Sequence, residues 1–330
     1  MKKIFALLLS AALLVTLLAA CGGGNTTDTD TDAQEPATDA STTQVEEQEP
    51  DTGDASKDDP LNQDEIGEKE LLVVSFGTSY NDSRRETIGA IEKAMQTAFP
   101  DYSVRRAFTS QIIIDHVKDR DGVTIDNVEQ ALERAVNNGV KTLVVQPTHL
   151  MNGLEYEELT DELAKYSDSF EKIAIGDPLL TSDADFEAVM TAITDATKGA
   201  ADGKTAICFM GHGTTADSNS VYSKMQTLLT DKGFNDYYVG TVEATPSLDD
   251  VLAAVQKGNY EKVILRPLMI VAGDHANNDM AGDEDDSWKS TFEKAGYTVD
   301  CQVEGLGQLE AIQQLFVEHA KAAVASAEAE

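Results

Sequence analysis

RPLMIVAGDHANNDMAGDEDDSW, residues 266–288, runs from an apolar segment into a polar loop with no linker between them. Val263 to Ile270 reads as one buried strand, interrupted only by Arg266 and Pro267. It leads at once to Gly273-Asp274-His275, then to Asn277, Asn278 and Asp279, and then to the acidic run Asp283-Glu284-Asp285-Asp286. In an open parallel sheet the carboxyl ends of the strands carry the ligand sites, because the loops there face a crevice. A histidine flanked by aspartates on such a loop suits a metal ligand or a proton acceptor. Alone it would read equally well as a polar loop with an incidental histidine. A second histidine, His212, stands on a similar turn in MGHGT.

Outward from this stretch, short apolar runs alternate with helical periodicity. Leu71–Phe76 (LLVVSF), Val104–Phe108, Thr142–Gln146 (TLVVQ), Lys172–Ile175 and Thr205–Met210 (TAICFM) read as strands. Arg84–Phe99, Ile112–Val117, Val128–Val136 and Glu155–Tyr166 read as helices, and another begins at Leu309. That alternation predicts an α/β fold with parallel sheets and right-handed crossovers. The pattern also repeats. Ser75-Phe76-Gly77-Thr78 lies over Gly211-His212-Gly213-Thr214, and VVQPTHLMNG (144–153) over ILRPLMIVAG (264–273), with Pro147 on Pro267 and Gly153 on Gly273. Two similar domains are expected, 69–200 and 201–330, each a parallel sheet flanked by helices, with a cleft between their strand ends. The terminal helix is expected to pack across both.

The first 68 residues read differently. Lys2 and Lys3 precede an apolar run, Ile4 to Leu18, that is short for a membrane span. It ends in Leu18-Ala19-Ala20-Cys21, which resembles a bacterial lipoprotein signal. The expectation is a signal peptide over 1–21, lipidation of Cys21, and an exported protein tethered to the extracytoplasmic face of a membrane. Residues 22–68 are rich in Asp, Glu, Thr and Gln and poor in large apolar side chains, so they are expected to form a disordered acidic spacer. From Leu71 onward 21 basic residues face 43 acidic ones, which argues against nucleic acid as a partner. With Cys21 lipidated, only Cys208 and Cys301 remain, both in apolar segments, so a thiolate metal site is excluded.

LLVVSFGTSY, RAFTSQIII, RDG, VVQPTHLMNGLEYE, FMGHGT, VGTVEATP, RPLMIVAGDHANNDMAGDEDDSWK and GLG occur in the order found in the anaerobic cobalt chelatases, and the resemblance covers residues 69–320. These are the CbiK-type sirohydrochlorin cobaltochelatases, class II tetrapyrrole chelatases. The resemblance implies two chelatase-like domains and insertion of Co²⁺, as substrate metal, into sirohydrochlorin with release of two protons, in corrinoid synthesis. Other readings are a chelatase for Fe²⁺ or Ni²⁺, or a membrane-tethered lipoprotein that binds tetrapyrrole or metal without turnover.

The resemblance also assigns residues. His212, Glu243 and His275 match the family's metal ligands. His149 and Glu155 face the tetrapyrrole, in proton transfer or positioning, although a structural His149 is also open. The backbone of Gly77, Thr78 and Ser79, and of Gly213 and Thr214, offers donors for the substrate's carboxylates, as do Arg105, Arg106 and Arg266. Neither turn has the glycine pattern of a nucleotide site, so no nucleotide cofactor is expected. The acidic run 283–286 either draws cations toward the cleft or simply starts the helix at Trp288. His116 and His319 stand outside the chemistry, and an oligomer is left open.

Overall fold

Eight strands, β1 (Lys69–Ser75), β2 (Ser103–Phe108), β3 (Thr142–Pro147), β4 (Lys172–Ile175), β5 (Thr205–Gly211), β6 (Tyr237–Thr241), β7 (Lys262–Pro267) and β8 (Thr298–Cys301), form two parallel sheets. The computed structural model describes residues 51–329, so the expected signal peptide, Cys21 and the first part of the spacer lie outside the described residues. The sheets have the same strand order, β2-β1-β3-β4 and β6-β5-β7-β8. Their registers agree as well: Val74 of β1 pairs with Pro147 of β3, and Met210 of β5 with Pro267 of β7. β5 is buried along its whole length, as is β1 beyond Lys69, which is why both read as continuous apolar runs.

Among the described residues ten α-helices flank the sheets: α1 (Asn81–Glu86), α2 (Ile88–Ala98), α3 (Gln111–Asp121), α4 (Val128–Asn137), α5 (Leu154–Ala164), α6 (Asp183–Thr197), α7 (Ser220–Asp231), α8 (Leu248–Val255), α9 (Trp288–Lys294) and α10 (Glu310–Ala329). Capping boxes start three of them, at Asn127/Gln130, Ser182/Asp185 and Ser247/Asp250. Among the described residues no helix is long and apolar enough to cross a membrane.

Three local readings need correction. The helix expected over 84–99 is two helices that meet at Thr87, whose backbone departs from helical geometry. Gly307 packs there so closely that a Cβ would stand 2.9 Å from the Thr87 Cβ. The strand expected to reach Ile270 stops at Pro267, and its last bond to β5 runs from the Leu268 N–H to the Met210 carbonyl at 2.7 Å. The chain then crosses to the first sheet, where Val271 packs against the cluster of Phe108 and Ile114, and the Ala272 N–H donates to Ser83 Oγ at 2.9 Å. Helices α6, α7 and α8 and strand β8 went unread, because their apolar stripes are short or mixed with Thr and Ala.

The terminal helix α10 packs on β3, β4 and α2 of the first sheet and along α6, and Lys172 Nζ donates to the Ala327 carbonyl at 2.8 Å. Helix α6 in turn packs on α7, and Thr197 Oγ1 lies 2.9 Å from Tyr237 Oη of the second sheet. One hydrophobic core therefore draws on both halves of the chain, from Leu71 and Val144 to Phe209, Tyr237 and Phe316.

The spacer also ends earlier than residue 68. Leu61 is buried in that core. Asp58 accepts from Arg84 Nε at 2.6 Å and from Arg106 Nη1 at 2.7 Å, and Arg106 also pairs with buried Glu92. Burial alone would raise the Asp58 pKa, but the hydrogen bonds and charges of the two guanidiniums outweigh it and hold the carboxyl below its usual range. Composition marked this segment as unable to fold alone. It could not register one carboxylate that bridges two buried arginines.

Candidate metal centre

Three side chains from three neighbouring strand ends converge at the carboxyl edge of the second sheet. His212 directly follows β5. Glu243 stands two residues beyond β6, held there by Val242 N–H to Gly211 C=O at 3.0 Å and Glu243 N–H to His212 C=O at 2.9 Å. His275 lies at the start of a short π-helix, Ala276–Met280, after the excursion beyond β7. Gly213 allows the approach of the Glu243 loop: its φ is +89°, and a Cβ there would stand 2.9 Å from the Ala244 backbone nitrogen.

The imidazoles of His212 and His275 meet edge to face, with centroids 4.6 Å apart. One donor atom from each of His212, Glu243 and His275 lies within 4.8 Å of the other two. With metal–ligand bonds of about 2.0–2.2 Å, donors on one ion stand up to about 4.2 Å apart, so sub-ångström shifts close the set. Each ring has its Nδ1 occupied. His212 Nδ1 lies 2.8 Å from the Gly213 carbonyl, and His275 Nδ1 lies 2.8 Å from Asp279 Oδ2. Both contacts favour the tautomer with hydrogen on Nδ1, which leaves Nε2 of each ring as the ligand atom. Asp279 is thus a positioning residue that the sequence reading passed over; its spacing of four from His275 was the available signal. All three ligand side chains remain partly exposed, at 47% for His212, 57% for Glu243 and 33% for His275. Two imidazoles and a carboxylate suit a borderline divalent metal, and open access suits an ion that must be handed on.

The other expected site residues divide. Glu155 is exposed on the first turn of α5, beside Gly153. His149 is buried, and among the described residues neither ring nitrogen has a hydrogen-bond partner. Burial pushes its pKa down to about 4, against a smaller opposing pull from Glu155. Parts of both glycine turns are bonded within the fold. Gly77 and Thr78 are buried, Thr78 Oγ1 accepts from the Tyr80 N–H, and the Thr78 and Ser79 carbonyls accept from Arg84 and Arg120. The Gly213 N–H donates to Tyr222 Oη at 3.3 Å and the Thr214 N–H to Asn219 Oδ1 at 3.0 Å. Arg105, Arg106 and Arg266 are likewise buried and paired, with Asp126, Glu92 and Glu304 respectively. Gly213, Thr214 and the three arginines were read as substrate donors because sequence cannot tell a cleft-facing donor from one bonded internally.

In the acidic run, Asp283 pairs with Lys289 and Asp285 with Lys294, while Ser287 caps α9. Glu284 and Asp286 instead line a hollow with Asp249 and Asp279. The run therefore leads into a helix and also adds negative charge near Asp279, the partner of His275. His319 packs away from it, its nitrogens 3.0 Å from the Asp177 carbonyl and 3.1 Å from Asp185 Oδ1.

The chain is 38% identical over 251 residues to the sirohydrochlorin cobaltochelatase of Salmonella typhimurium, an alignment spanning 76% of this chain and 94% of that protein. It is 30% identical over 260 residues to the sirohydrochlorin cobaltochelatase CbiKC of Nitratidesulfovibrio vulgaris, spanning 78% and 91%. The structure resembles that of SirB from Bacillus subtilis with Fe³⁺, with a TM-score of 0.56 at 14% identity over 80% of this chain and 98% of that one, a likeness of fold. Residues 69–325 match the cobalt chelatase (CbiK) family, and the chain belongs to it.

Proposed function

We propose that this protein is a sirohydrochlorin cobaltochelatase, an enzyme that inserts Co²⁺ into sirohydrochlorin and releases two protons. The observation that carries the reading is the convergence of His212, Glu243 and His275 on three adjacent strand ends, in a chain of the cobalt chelatase family. Cobalt is the substrate metal. The two imidazoles and the carboxylate hold it at an accessible point, and its transfer to the ring nitrogens requires those ligands to let go. Because protons compete with metal for imidazole nitrogen, acid weakens the delivery set.

The two pyrrole protons need an acceptor. Glu155, exposed beside the seam between the sheets, fits that role. Buried His149, held neutral with a pKa pushed down to about 4, offers hydrogen bonds near neutral pH and does not carry protons. The test is steady-state metallation: several equivalents of cobalt sirohydrochlorin per protein support the enzyme. A single stoichiometric equivalent would reduce it to a binding protein.

For the cell, the reading is an exported chelatase anchored through Cys21. Its support is the sequence Leu18-Ala19-Ala20-Cys21 after an apolar run. Cys21→Ala should move the protein from the membrane fraction to the soluble one. Unchanged membrane association would remove the anchor.

A further inference from the structure

His212, Glu243 and His275 each stand on a loop that has already left its strand, so their spacing depends on what fastens those loops. Next to the strands the backbone does it, through Val242 N–H to the Gly211 carbonyl and Glu243 N–H to the His212 carbonyl. Farther out a side chain takes over. Asn219 Nδ2 donates to the Thr245 carbonyl at 2.7 Å, and its Oδ1 accepts from the Thr214 N–H at 3.0 Å. Thr214 lies two residues past His212, and Thr245 two past Glu243. One amide thus joins the loop of one ligand to the loop of the next, using its donor on one and its acceptor on the other.

The loop of His275 is fastened from the other half of the chain. A Cβ on Gly273 would stand 3.0 Å from Thr78 Oγ1, so this loop lies close against the first glycine turn. The hydrogen bond at that contact runs from the Ala272 N–H, three residues before His275, to Ser83 Oγ at 2.9 Å. The two fasteners hold equivalent places in the repeat. Gly77-Thr78 lies over Gly213-Thr214, and five residues past each threonine stand Ser83 and Asn219. Both are half-buried near a helix start, Ser83 in the first turn of α1 and Asn219 just before α7. Asn219 makes no side-chain capping bond to α7, so its amide is left to the loops.

We propose that Asn219 and Ser83 are positioning residues of the metal centre: Asn219 sets the spacing of His212 and Glu243, and Ser83 holds His275 against them. The proposal rests on the chelatase reading above and adds to it two residues, one from each half, that touch the ligand loops and not the metal. Groups that orient metal ligands change affinity by about 10- to 100-fold when removed. Single hydrogen bonds on half-buried side chains contribute little to folding.

The test titrates Co²⁺ into the full-length protein by calorimetry, without tetrapyrrole, and follows urea unfolding of the same samples. Asn219→Ala and Ser83→Ala should each weaken Co²⁺ binding about 10-fold, with unfolding midpoints close to wild type. Combination with ligand variants separates positioning from general loosening. In a Glu243→Ala background the spacing set by Asn219 has lost its meaning, so Asn219→Ala should cost less than about twofold, while Ser83→Ala keeps its full effect. In a His275→Ala background Ser83→Ala should fall silent and Asn219→Ala keep its full effect. Asn219→Ser, suited to a helix start but too short to bridge the loops, should lose as much as Asn219→Ala. Wild-type affinity in either single variant, losses that multiply in every combination, early unfolding, or full recovery with Asn219→Ser would overturn the proposal. If Co²⁺ affinity depended on His212, Glu243 and His275 while Asn219→Ala and Ser83→Ala left it unchanged, this proposal alone would fall. Indifference to all three ligand variants would bring down the chelatase reading as well.

Discussion

The two sheets are built alike and equipped differently. Both have their second strand at one edge, then the first, the third and the fourth, and both turn after the first strand through a left-handed glycine, Gly77 with φ +103° and Gly213 with φ +89°. At the carboxyl edge the second sheet carries two imidazoles and a carboxylate, and the first carries a phenyl ring and two aliphatic chains. The first sheet also carries two buried ionic groups, Arg84 and Arg106 with Asp58 and Glu92, and Arg105 with Asp126. The second has no such cluster among its described central residues, being buried Ile207, Cys208, Phe209 and Leu265. Duplication of a scaffold thus supplies two facing edges at once, and the chemistry comes from changing a few residues at strand ends. The fold dictates where a site can stand and leaves open what it does.

If the division holds, mutations in the second sheet's edge should remove chemistry and spare stability, and the reverse should be true of the first sheet's ionic cluster. His212→Ala and His275→Ala should each lower the rate of Co²⁺ insertion by about 10³-fold, several kcal/mol of lost metal stabilisation. Their unfolding free energies should stay within about 1 kcal/mol of wild type, since both rings are partly exposed. Early melting of either variant would make its histidine a scaffold residue.

Asp58→Ala should do the opposite. It leaves buried Arg84 without a carboxylate and Arg106 with Glu92 alone, at a cost of about 3–5 kcal/mol in urea unfolding, while the folded fraction keeps its Co²⁺ affinity. A soluble form cut at Glu68 would suffer the same loss, so the minimal stable piece begins before Asp58. Unaltered stability in that truncation would break the claim that the segment belongs to the fold.

His149 sharpens the comparison at the seam. Its folded pKa of about 4 lies below the ordinary value of 6.5, so between these values the unfolded chain binds more protons. The stability tied to neutral His149 is present above pH 6.5 and is lost as pH falls toward 4. His149→Gln should therefore retain about 2 kcal/mol more of its stability than wild type does on going from pH 7.5 to pH 5. Parallel losses in the two proteins would mean that the imidazole is solvated or partnered.

Much of this was legible in the sequence, and the limits have physical causes. Buried parallel strands announce themselves as unbroken apolar runs, and the QP and RP dipeptides with their glycines exposed the repeat. The order of motifs pointed to His212, Glu243 and His275, and the fold brings one donor atom of each within 4.8 Å of the others. The turn donors failed because Gly213 and Thr214 direct their N–H groups to Tyr222 and Asn219, partners that only tertiary structure brings near. The arginines failed for the same reason, and Asp58 was hidden by its acidic neighbours. Phe76 was quoted in the repeat yet read as the end of a strand, since hydrophobicity alone cannot distinguish a core residue from an exposed one.

The central claim is that one sheet alone holds the metal, and the coordination shell of bound Co²⁺ tests it most directly. X-ray absorption spectra of the cobalt-loaded, tetrapyrrole-free protein should show two imidazoles and a carboxylate oxygen at about 2.0–2.2 Å. His212→Ala and His275→Ala should each remove one imidazole from that shell, and Phe76→Ala should leave it intact. A shell of oxygen donors only, or one indifferent to both histidine variants, would contradict the account.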